Sequence, residues 1–100
     1  MAERLPAEAV STALEALPEW SGGPDRIQRS VTVGEESQDT LVDAVLRTAD
    51  EVDHHPEVDR QGDTVVFTLW THSAGGVTEK DVEFAARIDE VLSGRDATGE

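Results

Sequence analysis

The chain contains no cysteine and a single lysine, Lys80, against 22 acidic residues. Without thiols there are no disulfides, no thiolate metal sites and no cysteine nucleophile. No apolar run approaches the length of a membrane span. The start Met1-Ala2-Glu3-Arg4 leads into no apolar targeting core, so a soluble, cytoplasmic protein is expected. Basic residues are scarce: seven arginines join Lys80, and the net charge is −14. Such a surplus repels nucleic acid phosphates and anionic membranes, and neither is expected as a partner. It suits a protein working in concentrated salt, where counterions screen self-repulsion, so a halophilic source is expected. No repeat, Gly-rich phosphate loop, paired-carboxylate signature or Ser/His/Asp set stands out; Gly75-Gly76 precedes a helix but lacks the length and lysine of a phosphate loop.

What is present reads as one globular domain over residues 1–100, 37% apolar, with a short polar tail, Gly94–Glu100. Pro6 suits the first turn of a helix. Val10, Ala13, Leu14 and Leu17 then recur at helical spacing until Pro18. After Trp20, the cluster Ser21-Gly22-Gly23-Pro24-Asp25 is a turn, and a short strand around Trp20 can pair through it with Ile27–Val33. That second segment alternates apolar and polar residues as a half-buried strand does. Gly34 ends it. Glu35, Glu36 and Asp39 then supply an acidic first turn, which a helix dipole favours. The stripe Leu41, Val42, Val45, Leu46, Ala49, Val52 continues as a helix that must end near His54-His55, because the residue before Pro56 is disfavoured in the α region. Glu57–Arg60 and the β-branched, aromatic run Thr64–Trp70 form a second hairpin. Thr78 and Asp81 resemble a capping box that opens a third helix with Val82, Ala85, Ala86, Ile88, Val91 and Leu92 inside and Gly94 at its end. The order α-β-β-α-β-β-α predicts an α+β fold, a four-stranded antiparallel sheet with three helices packed on one face.

Functional interest centres on Asp50-Glu51-Val52-Asp53-His54-His55-Pro56-Glu57. It carries two of the three histidines, and His72 follows the strand-like run, so all three imidazoles fall at the ends of regular elements. Imidazole titrates at about pH 6.5 and can give or take a proton under working conditions. The alternatives are solvated loop histidines or a zinc site. Zinc would want ligands at i and i+4, or cysteines, and neither histidine pair has that spacing. Asp50 stands four residues before His54 and reads as the carboxylate orienting that imidazole. Trp20 reads as core or as cover for a pocket edge, and Asp81 as a cap.

His54-His55-Pro56-Glu57, then Thr71-His72 after a β run, then Gly76-Val77-Thr78-Glu79-Lys80-Asp81, resembles the pterin-4a-carbinolamine dehydratases. The resemblance runs from about Leu5 to Leu92, and its specificity lies in Asp50–Asp81. It implies dehydration of 4a-hydroxytetrahydropterin to quinonoid dihydropterin without a metal or organic cofactor. His54, His55 and His72 would be the catalytic set, with Asp50 orienting. Asp53, Pro56, Trp70, Thr71 and Ser73 would line the pterin pocket, and Trp20 would cover it. It also implies a dimer or tetramer. The family's animal members bridge a homeodomain transcription factor, a role not carried onto so acidic a chain. The alternative is a non-catalytic pterin-binding or assembly module of the same fold, linked to molybdopterin handling. Val58 and Gly62 stand where relatives often carry aromatics, and Ser37-Gln38-Asp39-Thr40 is more polar than usual.

The charge surplus makes a direct prediction. The melting temperature should climb as KCl is raised towards molar concentrations; thermal melts indifferent to salt would remove the halophilic reading.

Overall fold

A computed structural model describes residues 3–98, with side chains described as far as Ser93. Helix α1 spans Ala7–Glu15 with Pro6 as its N-cap residue. Strands β1 (Ser21–Gly22) and β2 (Ile27–Thr32) follow, then α2 (Glu35–Val52), β3 (Glu57–Gln61), β4 (Thr64–Leu69), a single 3-10 turn at His72–Ala74, and α3 (Glu79–Thr98). The expected α-β-β-α-β-β-α order is therefore present. The strands form one antiparallel sheet in the order β1-β2-β4-β3.

The alternation read from the sequence decides which face is covered. In register, Ile27 opposes Leu69 and Val31 opposes Val65. Ile27, Val65, Phe67 and Leu69 are fully buried, together with Leu41, Val45 and Ala49 of α2 and Phe84, Ala85 and Ile88 of α3. The intervening residues Gln28, Ser30, Thr32, Glu57, Asp59 and Gln61 are exposed. One face thus carries the helices and the other faces solvent, as the period of two requires. Val10 anchors α1 in the same core.

The polar start of α2 has a structural use. Gln38 is buried, and its side-chain amide donates to the carbonyls of Val33 (3.1 Å) and Gly62 (2.7 Å). It ties the helix to the end of β2 and to the β3–β4 turn, satisfying two carbonyls that no ladder reaches. That turn has only two loop residues, and Gly62 takes φ 59° there, as hairpin geometry asks.

One expectation is corrected at the C-terminus. Helix α3 does not stop at Gly94 but continues to Thr98. A lone glycine weakens a helix by about 1 kcal/mol without ending it. The rest of the expected tail, Gly99-Glu100, lies outside the described residues.

The loop from β4 to α3 is closed at its base. Thr71 and Gly76 form an isolated antiparallel bridge, with the Thr71 amide donating to the Gly76 carbonyl at 2.9 Å. Gly76 packs so tightly that a Cβ there would lie 2.6 Å from the Pro24 carbonyl oxygen. Gly76→Ala should therefore destabilise the fold by about 1–3 kcal/mol, the usual range for overpacking. Urea denaturation checks this; an unchanged midpoint would show that the Pro24 turn yields freely.

Candidate active site

The end of α2 sets the first part of the site. Asp53 adopts φ 55°, in the left-handed region. Asp visits this conformation more readily than most residues with a Cβ. The turn lets the His54 amide reach back to the Ala49 carbonyl at 3.0 Å, the six-to-one bond that closes a helix when its next residue is left-handed. His54 thereby leaves the helical path. Asp50 and His54, four positions apart, therefore do not share a helical face.

Asp50 is not the partner of His54. Its Oδ1 meets His55 Nε2 at 3.1 Å, and both side chains are mostly exposed. His54 Nε2 instead pairs with Oδ1 of Asp81, a carboxylate with no exposed surface. The other oxygen, Oδ2, accepts from Thr71 Oγ1 and from the Thr78 amide, each at 2.8 Å, with Thr78 Oγ1 at 3.4 Å. Thr71 and Thr78 hydroxyls also bond each other at 2.9 Å. Every group around Asp81 is a donor, which is what a buried carboxylate needs. Since the carboxylate accepts only, Nε2 of His54 is its donor and Nδ1 is left as the second ring nitrogen. Phe84 meets the same ring edge-on, with centroids 6.1 Å apart. Asp81 is therefore both the cap expected from the sequence, taking the Thr78 amide, and the partner that fixes the His54 ring.

His72 arrives by the other route. It opens the 3-10 turn inside the clamped Thr71–Gly76 loop. Its ring lies 4.9 Å from that of Trp70, tilted by 41°. The Arg26 guanidinium sits 5.0 Å from the Trp70 ring centre, within cation–π range.

These routes converge. Asp53, His54, His55, Trp70, Thr71, His72, Ser73 and Lys80 line one open concavity of about 400 Å³. All three histidines singled out in the sequence are in it, as are Asp53, Trp70, Thr71 and Ser73. Pro56 lies next door, in a concavity of about 240 Å³ that shares His55, Trp70 and His72 and adds Glu57. Trp20 is not at the pocket. It is buried, and its indole N–H donates at 2.8 Å to Asp89, which also takes Arg29 at 2.6 Å. An indole needs a partner for its one donor when buried, and α3 supplies it on the helix side of the sheet. A further depression of about 500 Å³, between Glu3–Pro6 and the start of α3, holds no histidine. Among the described residues, no three His, Asp or Glu side chains are grouped to hold a metal ion.

Two residues escaped the sequence reading. Lys80 sits beside the capping pair, and only the turn of α3 brings it to the pocket. Asp81 was read as a cap alone, because nothing local says that a residue 27 positions earlier will meet its second oxygen.

Comparison with known proteins accords with this geometry. The family model for pterin 4 alpha carbinolamine dehydratase matches residues 3–91. The chain belongs to that family. A Nocardia farcinica relative, named "Putative pterin-4-alpha-carbinolamine dehydratase", is 43% identical over 90 residues, covering 89% of this chain and 95% of that one. A Streptomyces coelicolor relative of the same name is 39% identical over 98 residues, covering 96% and 97%. Among solved structures, a transcriptional coactivator/pterin dehydratase from Brucella melitensis superposes with a TM-score of 0.82 at 30% identity, covering 89% and 98%. The α+β fold is thus shared with a solved pterin dehydratase structure.

The two aspartates separate cleanly by experiment. Asp81→Asn places an amide donor among donors and should lower stability by about 1–3 kcal/mol, with the His54 ring resonances shifted in NMR spectra. Asp50→Ala, at an exposed pair, should stay within about 0.5 kcal/mol. Equal effects would remove the distinction.

Proposed function

We propose that the protein is a hydro-lyase that converts a 4a-hydroxytetrahydropterin to the quinonoid dihydropterin and water. The observation that carries this reading is the convergence of three imidazoles, two from the end of α2 and one from the loop after β4, on one concavity. The reaction breaks the C4a–O bond, removes the proton on N5 and forms the C4a=N5 double bond. The departing hydroxyl needs a proton and N5 must lose one, so two proton-transfer groups must stand at different sides of the ring system. Histidines are suited to both roles near neutral pH.

The three imidazoles are held in different ways, which fits a division of labour. His54 is fixed by Asp81 and Phe84 and turns little. His55 is mostly exposed on a surface pair with Asp50, and His72 rides on the clamped loop with its ring against Trp70. We assign the two proton transfers to this trio. Asp81 acts through His54 as a positioning residue, in the place first given to Asp50. Trp70 offers its ring as an apolar wall for the flat bicycle, while Thr71 and Ser73 supply the polar rim. Asp53 and Lys80 put one charge of each sign at the mouth.

The test is the decay of a 4a-carbinolamine followed by absorbance. The wild-type protein should accelerate it, and His72→Ala should slow turnover by about 10²-fold or more, the usual scale for losing a general acid or base. A wild-type protein that leaves the decay rate unchanged would remove the enzyme reading. Retained pterin binding in that case would favour a binding module.

A further inference from the structure

Three segments far apart in the chain meet at the loop that carries His72. The first is the stretch before α1, whose Leu5 amide donates to the Val77 carbonyl at 2.8 Å. The second is the turn between β1 and β2, whose Pro24 carbonyl accepts from the Val77 amide at 2.9 Å. The third is Gly75–Val77, the return limb of the loop itself. Arg4 joins its own segment to the other two. Its Nη1 donates to the Gly75 carbonyl at 2.9 Å and its Nη2 to Asp25 Oδ1 at 2.6 Å. The guanidinium lies against Gly76, where a Cβ would fall 2.8 Å from Arg4 Nε. That glycine therefore leaves room for the Arg4 side chain as well as for Pro24.

The contact reaches His72 through one residue. Gly75 closes the 3-10 turn in the left-handed region, with φ 73°. Its amide donates to the carbonyls of Thr71 (3.0 Å) and His72 (3.1 Å). Gly75 thus receives Arg4 on its carbonyl and grips the His72 backbone with its amide. Glycine has wide conformational freedom, so a hold on its carbonyl restrains the peptide that the rest of the loop turns on. Arg4 does not line the histidine concavity, and its side chain is 43% exposed. As a bare surface pair with Asp25, itself 79% exposed, it would contribute little. The bond to Gly75 sets it apart, because the planar fork of a guanidinium takes both acceptors at once.

We infer that Arg4 is a positioning residue for His72, acting through Gly75. The inference rests on the dehydratase reading, in which His72 takes part in proton transfer, and adds to it a residue outside the pocket. The bridge between Thr71 and Gly76 closes the base of the loop, and Arg4 fixes the peptide between them. A proton-transfer group must stand within hydrogen-bond reach of its atom. A displacement of about 1 Å caused from a distance can cost up to about 10²-fold in rate.

The experiment combines amide hydrogen exchange, NMR and turnover on the full chain. Arg4→Ala should speed exchange at the Gly75 amide by about 2–10-fold, the scale of one net hydrogen bond. It should shift the His72 ring resonances and leave those of His54 in place. The same variant should lower kcat by about 3–10-fold, within the range of a small misplacement, with KM moving less. Arg4→Lys keeps one donor for the Gly75 carbonyl and should recover most of the rate. Asp25→Asn keeps an acceptor without the charge and should stay within about twofold of the wild type. Unchanged Gly75 exchange and His72 resonances in Arg4→Ala would overturn the inference. So would equal shifts at His54 and His72, or an active enzyme whose kcat ignores the substitution. Should the wild-type protein leave carbinolamine decay unaccelerated, the dehydratase reading fails on that measurement alone; the exchange and resonance measurements then decide by themselves whether Arg4 holds His72.

Discussion

Asp81 carries a buried charge, and the arrangement of the site follows from satisfying it. A carboxylate with no access to water is tolerated only among donors. Here the donors come from three places: the end of α2 through His54, the end of the β4 region through Thr71, and the start of α3 through Thr78. The three residues that offset the cost of burial therefore also fix the mutual placement of three elements. A helix cap, ordinarily worth about 1 kcal/mol, has become the joint on which the histidine pocket is built. The surface ion pairs Arg60–Asp39 and Arg87–Glu51 have no such role, since exposed pairs contribute little.

Around that joint, order falls off in steps. His54 has a buried carboxylate and an aromatic edge to hold it. His72 has one ring neighbour and a loop closed by Thr71 and Gly76. His55 has only an exposed aspartate. The pocket thus combines one imidazole held on two sides with two that have fewer contacts, and Trp70 lines both the main concavity and the smaller one beside it.

The sequence made the fold legible because its signals are periodic and local. The stripe from Leu41 to Val52 could only be an amphipathic helix, and the alternation at Ile27–Val33 and Thr64–Trp70 could only be strands with one covered face. Their order then left few ways to cover that face. The site was legible in part: the three histidines come together and Asp53, Trp70, Thr71 and Ser73 join them. What failed were arguments from spacing near an element end. The Asp50–His54 pairing assumed that the helix carries on to His54, whereas the left-handed Asp53 swings His54 away towards α3. Trp20 is core, one of the two readings its sequence context left open; its buried indole finds an acceptor in Asp89 on α3, away from the pocket edge that the resemblance implied. Gly94 was read as a stop, and a glycine is a weak one.

The hydrogen bond from the Leu5 amide to the Val77 carbonyl, at 2.8 Å, and the reach of Arg4 to the Gly75 carbonyl across 71 positions bear on the order in which the chain is made. The segment that seals the His72 loop is synthesised first, the histidines next, and Asp81 with its helix last. A ribosome-bound chain that has emerged as far as His72 already contains every imidazole and still has no site, because the carboxylate that gathers the elements has yet to appear. The pocket and the core wait on the same helix, since α3 supplies Asp81 to the one and Phe84, Ala85 and Ile88 to the other.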